Sequence, residues 1–259
     1  MIKLASWNVN GIRACHKAGF IDWLARSKPD VVGLQEVRAE EGQISKEILD
    51  HGDYHKAWYS ASAKKGYSGV AILSRVPPIR VIRGMDRPEF DAEGRAIAAE
   101  FNEFVFISAY FPNSQDGGKR IAYKIAFCKR IHEWMEALRK ETKKPVVLCG
   151  DYNIAHEEID LARPDSNHES PGFLPEERAW MTEFLKSGWV DTFRHLHPDK
   201  VQYSWWSART RARERNIGWR IDYHAIHKSD VKLVKGAEIE DQQLGSDHCP
   251  VILKLDVKL

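Results

Sequence analysis

Polar residues recur just past the apolar runs of this chain, where strand ends could project them into one cleft. Asn8 and Asn10 follow Ile2 to Trp7, Glu36 follows Val31 to Leu34, and Asp151 and Asn153 follow Val146 to Cys149. Asp151 and Asn153 are two residues apart and so share strand parity. Asp222 lies within Trp219-Arg220-Ile221-Asp222-Tyr223, and Asp247 and His248 precede the last strand. Alone, each has an ordinary reading: Asn8 and Asn153 as turn residues, Asp247 as a cap, His248 as a satisfied half-buried imidazole. Recurrence of one arrangement at successive strand ends points to chemistry instead. Glu36, Asp151 and Asp247, with Asn8 and Asn153 as neutral oxygen donors, make a hard, oxygen-rich site in which only His248 offers nitrogen. That donor set suits Mg²⁺ or Mn²⁺ and argues against zinc. The pairs His195 and His197, and His224 and His227, lack a third ligand at zinc-site spacing.

The elements that must position these groups follow from the hydrophobic pattern. Ile2 to Trp7 reads as a short strand, and a helix with Phe20, Trp23 and Leu24 on one face ends before Pro29. Val31 to Leu34 is a buried strand, and Gly66 to Leu73 a turn feeding another. Arg95 to Glu100 and Phe104 to Phe111 read as two strands joined at Asn102. Lys119 to Arg139 is the clearest helix, with Phe127, Ile131, Trp134 and Leu138 on one stripe. Val146 to Cys149 is a strand, Pro175 to Ser187 a second helix stopped by Gly188, and Val251 to Leu255 a terminal strand.

Helices alternate with strands throughout, which predicts an α/β or α+β fold with layered sheets. With 259 residues, 43% of them hydrophobic, the chain can bury a sizeable core, which excludes disorder and a disulfide-dense miniprotein. No internal repeat or low-complexity linker divides it, so one domain over residues 1–259 is expected. Lys and Arg number 39 against 37 Asp and Glu, a net charge of +2, which permits a nucleic-acid partner without arguing for one. No apolar run reaches the ~20 residues that span a bilayer, and the N-terminus lacks a secretory layout. Cys15, Cys128, Cys149 and Cys249 contain no Cys-x-x-Cys pair and read as reduced cytosolic thiols.

At this point a resemblance takes over. Trp7-Asn8-Val9-Asn10-Gly11-Ile12-Arg13, Leu34-Gln35-Glu36, Gly66-Tyr67-Ser68-Gly69, Gly150-Asp151-Tyr152-Asn153, Gly218-Trp219-Arg220-Ile221-Asp222-Tyr223 and Gly245-Ser246-Asp247-His248-Cys249-Pro250 resemble the motif set of the exodeoxyribonuclease III family. These are apurinic/apyrimidinic endonucleases of the endonuclease/exonuclease/phosphatase superfamily. The motifs follow the family's order over residues 6 to 250. Tyr110-Phe111-Pro112-Asn113 and Ala155 to Leu161 are narrower signatures than the Asp-x-Asn and Ser-Asp-His pieces.

The resemblance implies a four-layered α/β sandwich, two packed mixed β-sheets flanked by helices, with the cleft at one sheet edge. It implies a Mg²⁺-dependent nuclease, Mn²⁺ substituting, that cuts duplex DNA 5′ to abasic sites and trims blocked 3′ ends. Glu36 resembles the main metal carboxylate, with Asn8 and Asp247 nearby, and Asp151, Asn153 and His248 complete the metal-site expectation. Asp151 resembles the residue that orients or deprotonates the water, and Asn153 the amide that holds water or a phosphate oxygen. His248, steadied by Asp222, would stay protonated and donate to the scissile phosphate, as would the hydroxyl of Tyr110. Arg13, Tyr67, Ser68, Arg95, Asn113 and Asn167 match the family's DNA-contacting positions. Trp205, Trp219 and Ile221 match the pocket for the flipped-out sugar. Between the two tryptophans, Arg209, Arg211, Arg213 and Arg215 face one acid, Glu214, as a backbone-binding loop would.

Departures are local. Ser170 stands where relatives often carry a second asparagine, with His168 beside it. Ser114 to Gly118 lacks the arginine that some relatives insert into DNA, a part that Lys119 or Arg120 could take. The chain begins at its first strand, which fits a prokaryotic cytoplasm, and a monomer with no membrane partner is expected. Two other functions compete: a phosphatase or phospholipase on inositol phosphates or sphingomyelin, and a DNA-binding module without catalysis. The arginine-rich loop speaks against the first, and the acidic cleft against the second.

Overall fold

The apolar runs become the central strands of two sheets in the computed structural model, which describes residues 1–259. Across the first sheet lie β11 (Val234–Ile239), β12 (Val251–Leu255), β1 (Ile2–Asn8), β2 (Val31–Gln35), β4 (Val70–Ser74) and β3 (His55–Tyr59). Across the second lie β5 (Arg80–Arg83), β6 (Ala96–Glu100), β7 (Val105–Tyr110), β8 (Val146–Asp151), β10 (Asp222–His227) and β9 (Trp189–Asp191). Each sheet pairs its two middle strands in parallel, β1 with β2 and β7 with β8; the other pairings are antiparallel. Both sheets are therefore mixed.

The helices are α1 (Ile12–Lys17), α2 (Phe20–Ser27), α3 (Lys46–Leu49), α4 (Pro88–Asp91), α5 (Ile121–Thr142), α6 (Pro175–Lys186) and α7 (Thr192–Leu196). The stripe on α5 buries Phe127, Ile131, Trp134 and Leu138, with Trp180 and Phe184 of α6, in one core cluster on the second sheet. Ile12 of α1 and Phe20, Trp23 and Leu24 of α2 join Trp7 on the outer face of the first sheet. A third cluster, with Leu4, Ile97, Phe106, Val147, Ile226 and Leu253, fills the space between the sheets. The order is helix, sheet, sheet, helix, the expected four-layered sandwich. Each fully buried large side chain contributes about 1.5–3 kcal/mol, so the inter-sheet layer resists sliding of one sheet over the other.

Register brings the site together. Asn8 pairs with Gln35, and Tyr110 and Asp222 both pair with Asp151, so the polar groups gather at the same end of each sheet. Gly150 is required here: a Cβ on it would lie 1.8 Å from Ala109 O, and its φ of 149° is one that side-chain-bearing residues rarely adopt. That close approach sets Asp151 against Tyr110. The sequence reading missed β3 and β5, whose exposed His55, Arg80 and Arg83 break the apolar pattern at sheet edges.

Candidate active site

The end of the β1–β2 pair faces the end of the β7–β8 pair across the seam between the sheets. There Glu36, Asp151 and His248, all buried, bring their ligating atoms within 4.8 Å of one another. Asn8 spans the seam: its Nδ2 donates to Glu36 Oε1 at 2.9 Å and to Asp151 Oδ2 at 2.8 Å. Glu36 leaves β2 through left-handed backbone, φ 50°, and its Oε2 accepts from Arg38 Nε at 2.9 Å. Asp151 Oδ1 accepts from the Asn153 N–H at 2.8 Å.

His248 enters from the loop before β12. Its Nδ1 lies 2.9 Å from Asp222 Oδ2, and its Nε2 faces Asp151 Oδ2 at 3.8 Å. Ser204 fixes the Asp222 carboxylate: its hydroxyl donates at 2.6 Å and accepts the N–H groups of Ile221 and Asp222. Burial alone would lower the imidazole's pKa; the carboxylates of Asp222, then Asp151, outweigh it and raise it to about 10. Burial pushes the Asp151 carboxyl up, against the pull of His248. Burial, with Glu36 next, also holds the Tyr110 phenol well above its ordinary value, so it remains a donor. Arg95 stacks 4.7 Å from the centre of the Tyr110 ring.

Two carboxylates from opposite sheets, bridged by a neutral amide, offer hard oxygens to a divalent cation. Glu36 and Asp151 fit that part. Four other expected ligands are placed differently. Asn8 presents nitrogen to the carboxylates, its oxygen accepting the Asn10 N–H at 2.9 Å. Asn153 turns its oxygen to Asn113 Nδ2 at 3.1 Å and its nitrogen to Phe111 O at 3.0 Å. Asp247 lies outside the cluster, accepting from Asn10 Nδ2 at 2.8 Å and Trp205 Nε1 at 3.2 Å. His248 gives its Nδ1 to Asp222 and turns its Nε2 to the cluster, where a raised pKa favours an N–H donor over a ligand.

The expected DNA-contacting residues divide into two groups. Arg13 helps line a groove of about 820 Å³ beside the cleft with His16, Lys17 and Arg38. Asn113, Arg209 and Arg211 are exposed, and Tyr67 and Asn167 half-buried. Ser68 and Arg95 are each 1% exposed, as buried as Asp151, so neither stands free on the rim. Arg95 instead braces the rim, donating to Tyr67 Oη at 2.7 Å and Tyr110 O at 3.1 Å and pairing with Glu93. Within the basic loop, Arg213 also turns inward, to the carbonyls of Asp241, Gln243 and Ser246. Trp205 and Trp219 meet edge to face at 6.2 Å and pack with buried Ile221, Phe173, Ala155 and Leu161.

Three participants escaped the sequence reading. Arg38 pairs with Glu36, Ser204 holds Asp222, and Phe173 forms the pocket's back wall. Arg38 lies two residues past Glu36, Ser204 directly precedes Trp205 and Phe173 directly follows Gly172, so each borders a segment already singled out without a pattern of its own. Arg120 joins the rim, donating to Tyr67 Oη at 3.1 Å.

Two mixed sheets carrying an acidic cleft at their common edge define a class of phosphoester hydrolase. The chain belongs to the endonuclease/exonuclease/phosphatase family, whose profile matches residues 5–248. It is similar to the exodeoxyribonuclease of Bacillus subtilis, 44% identical over 99% of this chain and 100% of that protein. It is also similar to the DNA repair nuclease APEX1 of Danio rerio, 40% identical over 99% of this chain and 83% of that protein. The crystal structure of the AP endonuclease LMAP from Leishmania major matches it with a TM-score of 0.88. That match covers 99% of this chain and 88% of that one at 27% identity.

Proposed function

We propose that this chain is a DNA-repair nuclease that hydrolyses the phosphodiester 5′ to abasic sites in duplex DNA. It also removes nucleotides and blocking groups from 3′ ends, uses Mg²⁺ with Mn²⁺ as substitute, and acts as a cytoplasmic monomer formed by one domain. The observation that carries the reading is the seam cluster: Glu36 and Asp151 from opposite sheets, with a protonated His248 locked by Asp222. The names of the relatives, exodeoxyribonuclease and AP endonuclease, agree with it. No helix is long and apolar enough to cross a membrane.

Phosphodiester hydrolysis needs an in-line water, a sink for charge on the non-bridging oxygens, and stabilisation of the leaving 3′-oxygen. Glu36 and Asp151 would hold the cation, which when bound would supply Lewis acidity to the phosphate. His248 Nε2–H and the Tyr110 hydroxyl donate to the phosphate oxygens where negative charge grows. Asp151, its carboxyl pushed up by burial, orients the water and takes its proton. Asn153 steadies Asp151 through its N–H. Arg13, Tyr67, Asn113, Asn167, Arg209 and Arg211 hold the DNA backbone. Trp205, Trp219 and Ile221 admit a sugar without a base, which has no stacking to lose on extrusion.

A duplex carrying one abasic analogue tests this directly. With Mg²⁺ the protein should cut once, immediately 5′ to the site, leaving a 3′-hydroxyl; chelation with EDTA should abolish the cut and Mg²⁺ restore it. An intact duplex, with hydrolysis of an inositol phosphate or sphingomyelin under the same conditions, would move the chain to another branch of the family.

A further inference from the structure

Behind the cleft lies an ion pair that the chemistry above does not use. Lys124, on the first turn of α5, and Glu177, on the first turn of α6, have no side-chain exposure, and their charges meet at 2.6 Å. A buried pair of this kind is a poor source of stability, because the desolvation cost offsets the Coulombic gain. What it does is connect. Glu177 Oε1 accepts from Lys124 and from the Ser114 hydroxyl, and Oε2 accepts the N–H of Gly172 at 2.7 Å and of Leu174 at 2.9 Å. Lys124 Nζ also donates to the carbonyl of Asn153 at 2.6 Å.

Three segments therefore meet at one buried point. One is the loop after β7, which carries Asn113. Another is the loop before α6, which carries Phe173 of the tryptophan pocket. The third is the end of β8, with Asp151 and Asn153. Asn153 sits in left-handed backbone, φ 52°, a conformation that needs support from its surroundings. Its N–H holds Asp151, and its carbonyl is the group that Lys124 grips. Gly172 packs so closely that a Cβ there would lie 3.1 Å from the Asn153 carbonyl and 3.3 Å from the Trp219 ring.

We propose that Lys124 and Glu177 are positioning residues that fix the Asn153 peptide, and through it Asp151, against the wall of the tryptophan pocket. The inference rests on the nuclease reading. Lys124 acts on the reaction only through Asn153, which makes its effect separable from a general loss of stability.

The test is the double variant Lys124→Met/Glu177→Gln, which removes both charges together and keeps an oxygen for the N–H groups of Gly172 and Leu174. It should melt within a few degrees of the parent, because no unpaired charge is left buried. On the abasic duplex its kcat should fall about 10-fold or more at nearly unchanged KM, the signature of misplaced groups rather than weaker DNA binding. Lys124→Gln/Glu177→Gln, which keeps an N–H donor at position 124, should fold as well and recover part of that kcat. In an Asp151→Asn background, where the positioned carboxylate is already gone, the Lys124→Met/Glu177→Gln change should cost little more. Parent-like kcat in the folded double variant overturns the proposal. So does a loss indifferent to the donor at 124, or one that multiplies with that of Asp151→Asn. A parent protein that leaves the abasic duplex intact overturns the nuclease reading itself, and this inference with it.

Discussion

His248 and His224 are buried to the same degree, each 4% exposed, yet their pKa values are shifted in opposite directions. His248, in the cleft, has its pKa raised to about 10 because the carboxylates of Asp222 and Asp151 outweigh burial. His224, between the sheets, is lowered to about 3 by burial alone. The two lie close in structure: His224 is two residues along β10 from Asp222 and so on the same face. Asp222 is committed elsewhere, however, to His248 and Ser204. Burial sets the cost of a charged imidazole, and the carboxylate partner decides whether it forms. The cleft collects its carboxylates at the sheet ends, where water and phosphate can reach them, and the interior keeps none beside His224.

The sharpest way to break the comparison is to remove the charges around His248. Asp151→Asn should lower the cleavage rate by about 10²–10⁴, the range for losing an acid–base group, and the rate should stay low even at saturating Mg²⁺, although the Mg²⁺ requirement also rises with the loss of one anionic ligand. Glu36→Gln should instead raise the Mg²⁺ concentration for half-maximal rate and recover much activity when Mg²⁺ is abundant, because a neutral amide replaces an anionic ligand. Parallel Mg²⁺ titrations of the two variants check this. Identical responses would mean that the two carboxylates do not divide the work.

Next in size is the imidazole itself. His248→Asn should cost about 2.7–4 kcal/mol in transition-state stabilisation, like loss of an oxyanion donor. Asp222→Ala acts on the same step by lowering the imidazole's pKa, which shifts His248 toward the behaviour of His224 while Asp151 remains beside it. Because both act on one proton, the double variant should be little worse than the worse single one. A double-mutant cycle on kcat/KM with additive losses would separate the two residues.

Much of this site was legible because its parts sit at predictable places. Asn8, Glu36 and Asp151 each follow an apolar run, and strand-end placement survives whatever the loops do. The alternation of α2, α5 and α6 with buried strands showed layered sheets; their number, four layers, came from the resemblance. What misled was reading residue type as accessibility. Arg213 looked like Arg209 in sequence, yet it is held inward by Asp241 O; Arg95, matched by resemblance to a DNA-contacting position, likewise donates to Tyr110 O. Asp247 was expected near the cation from its strand-end place and the resemblance; its oxygens accept from Asn10 and Trp205. The Lys124–Glu177 pair left no pattern at all, since 53 residues separate its members and each alone resembles an exposed helix charge.

The smallest effect concerns the other histidine, and it is one of stability. His224 has no hydrogen-bond partner at Nε2 and stays neutral in the folded chain until about pH 3, whereas an unfolded chain takes up the proton near the ordinary imidazole value of 6.5. Between those values the unfolded state binds more protons, so stability falls as pH drops below 6.5 and stops falling below about 3. At about pH 5 the loss should be roughly 2 kcal/mol, from 1.36 kcal/mol per unit. His224→Leu removes the proton site and fills similar apolar space, so its stability should exceed the parent's by that additional amount on going from about pH 7 to about pH 5. His248 works in the opposite sense, adding stability below 6.5 that is lost as pH rises through about 10. It is present in both chains and cancels in the difference. Urea unfolding of the two proteins at both pH values measures the gap. A constant gap would mean that His224 is protonated in the fold, and that a buried imidazole here does not need a carboxylate to carry charge.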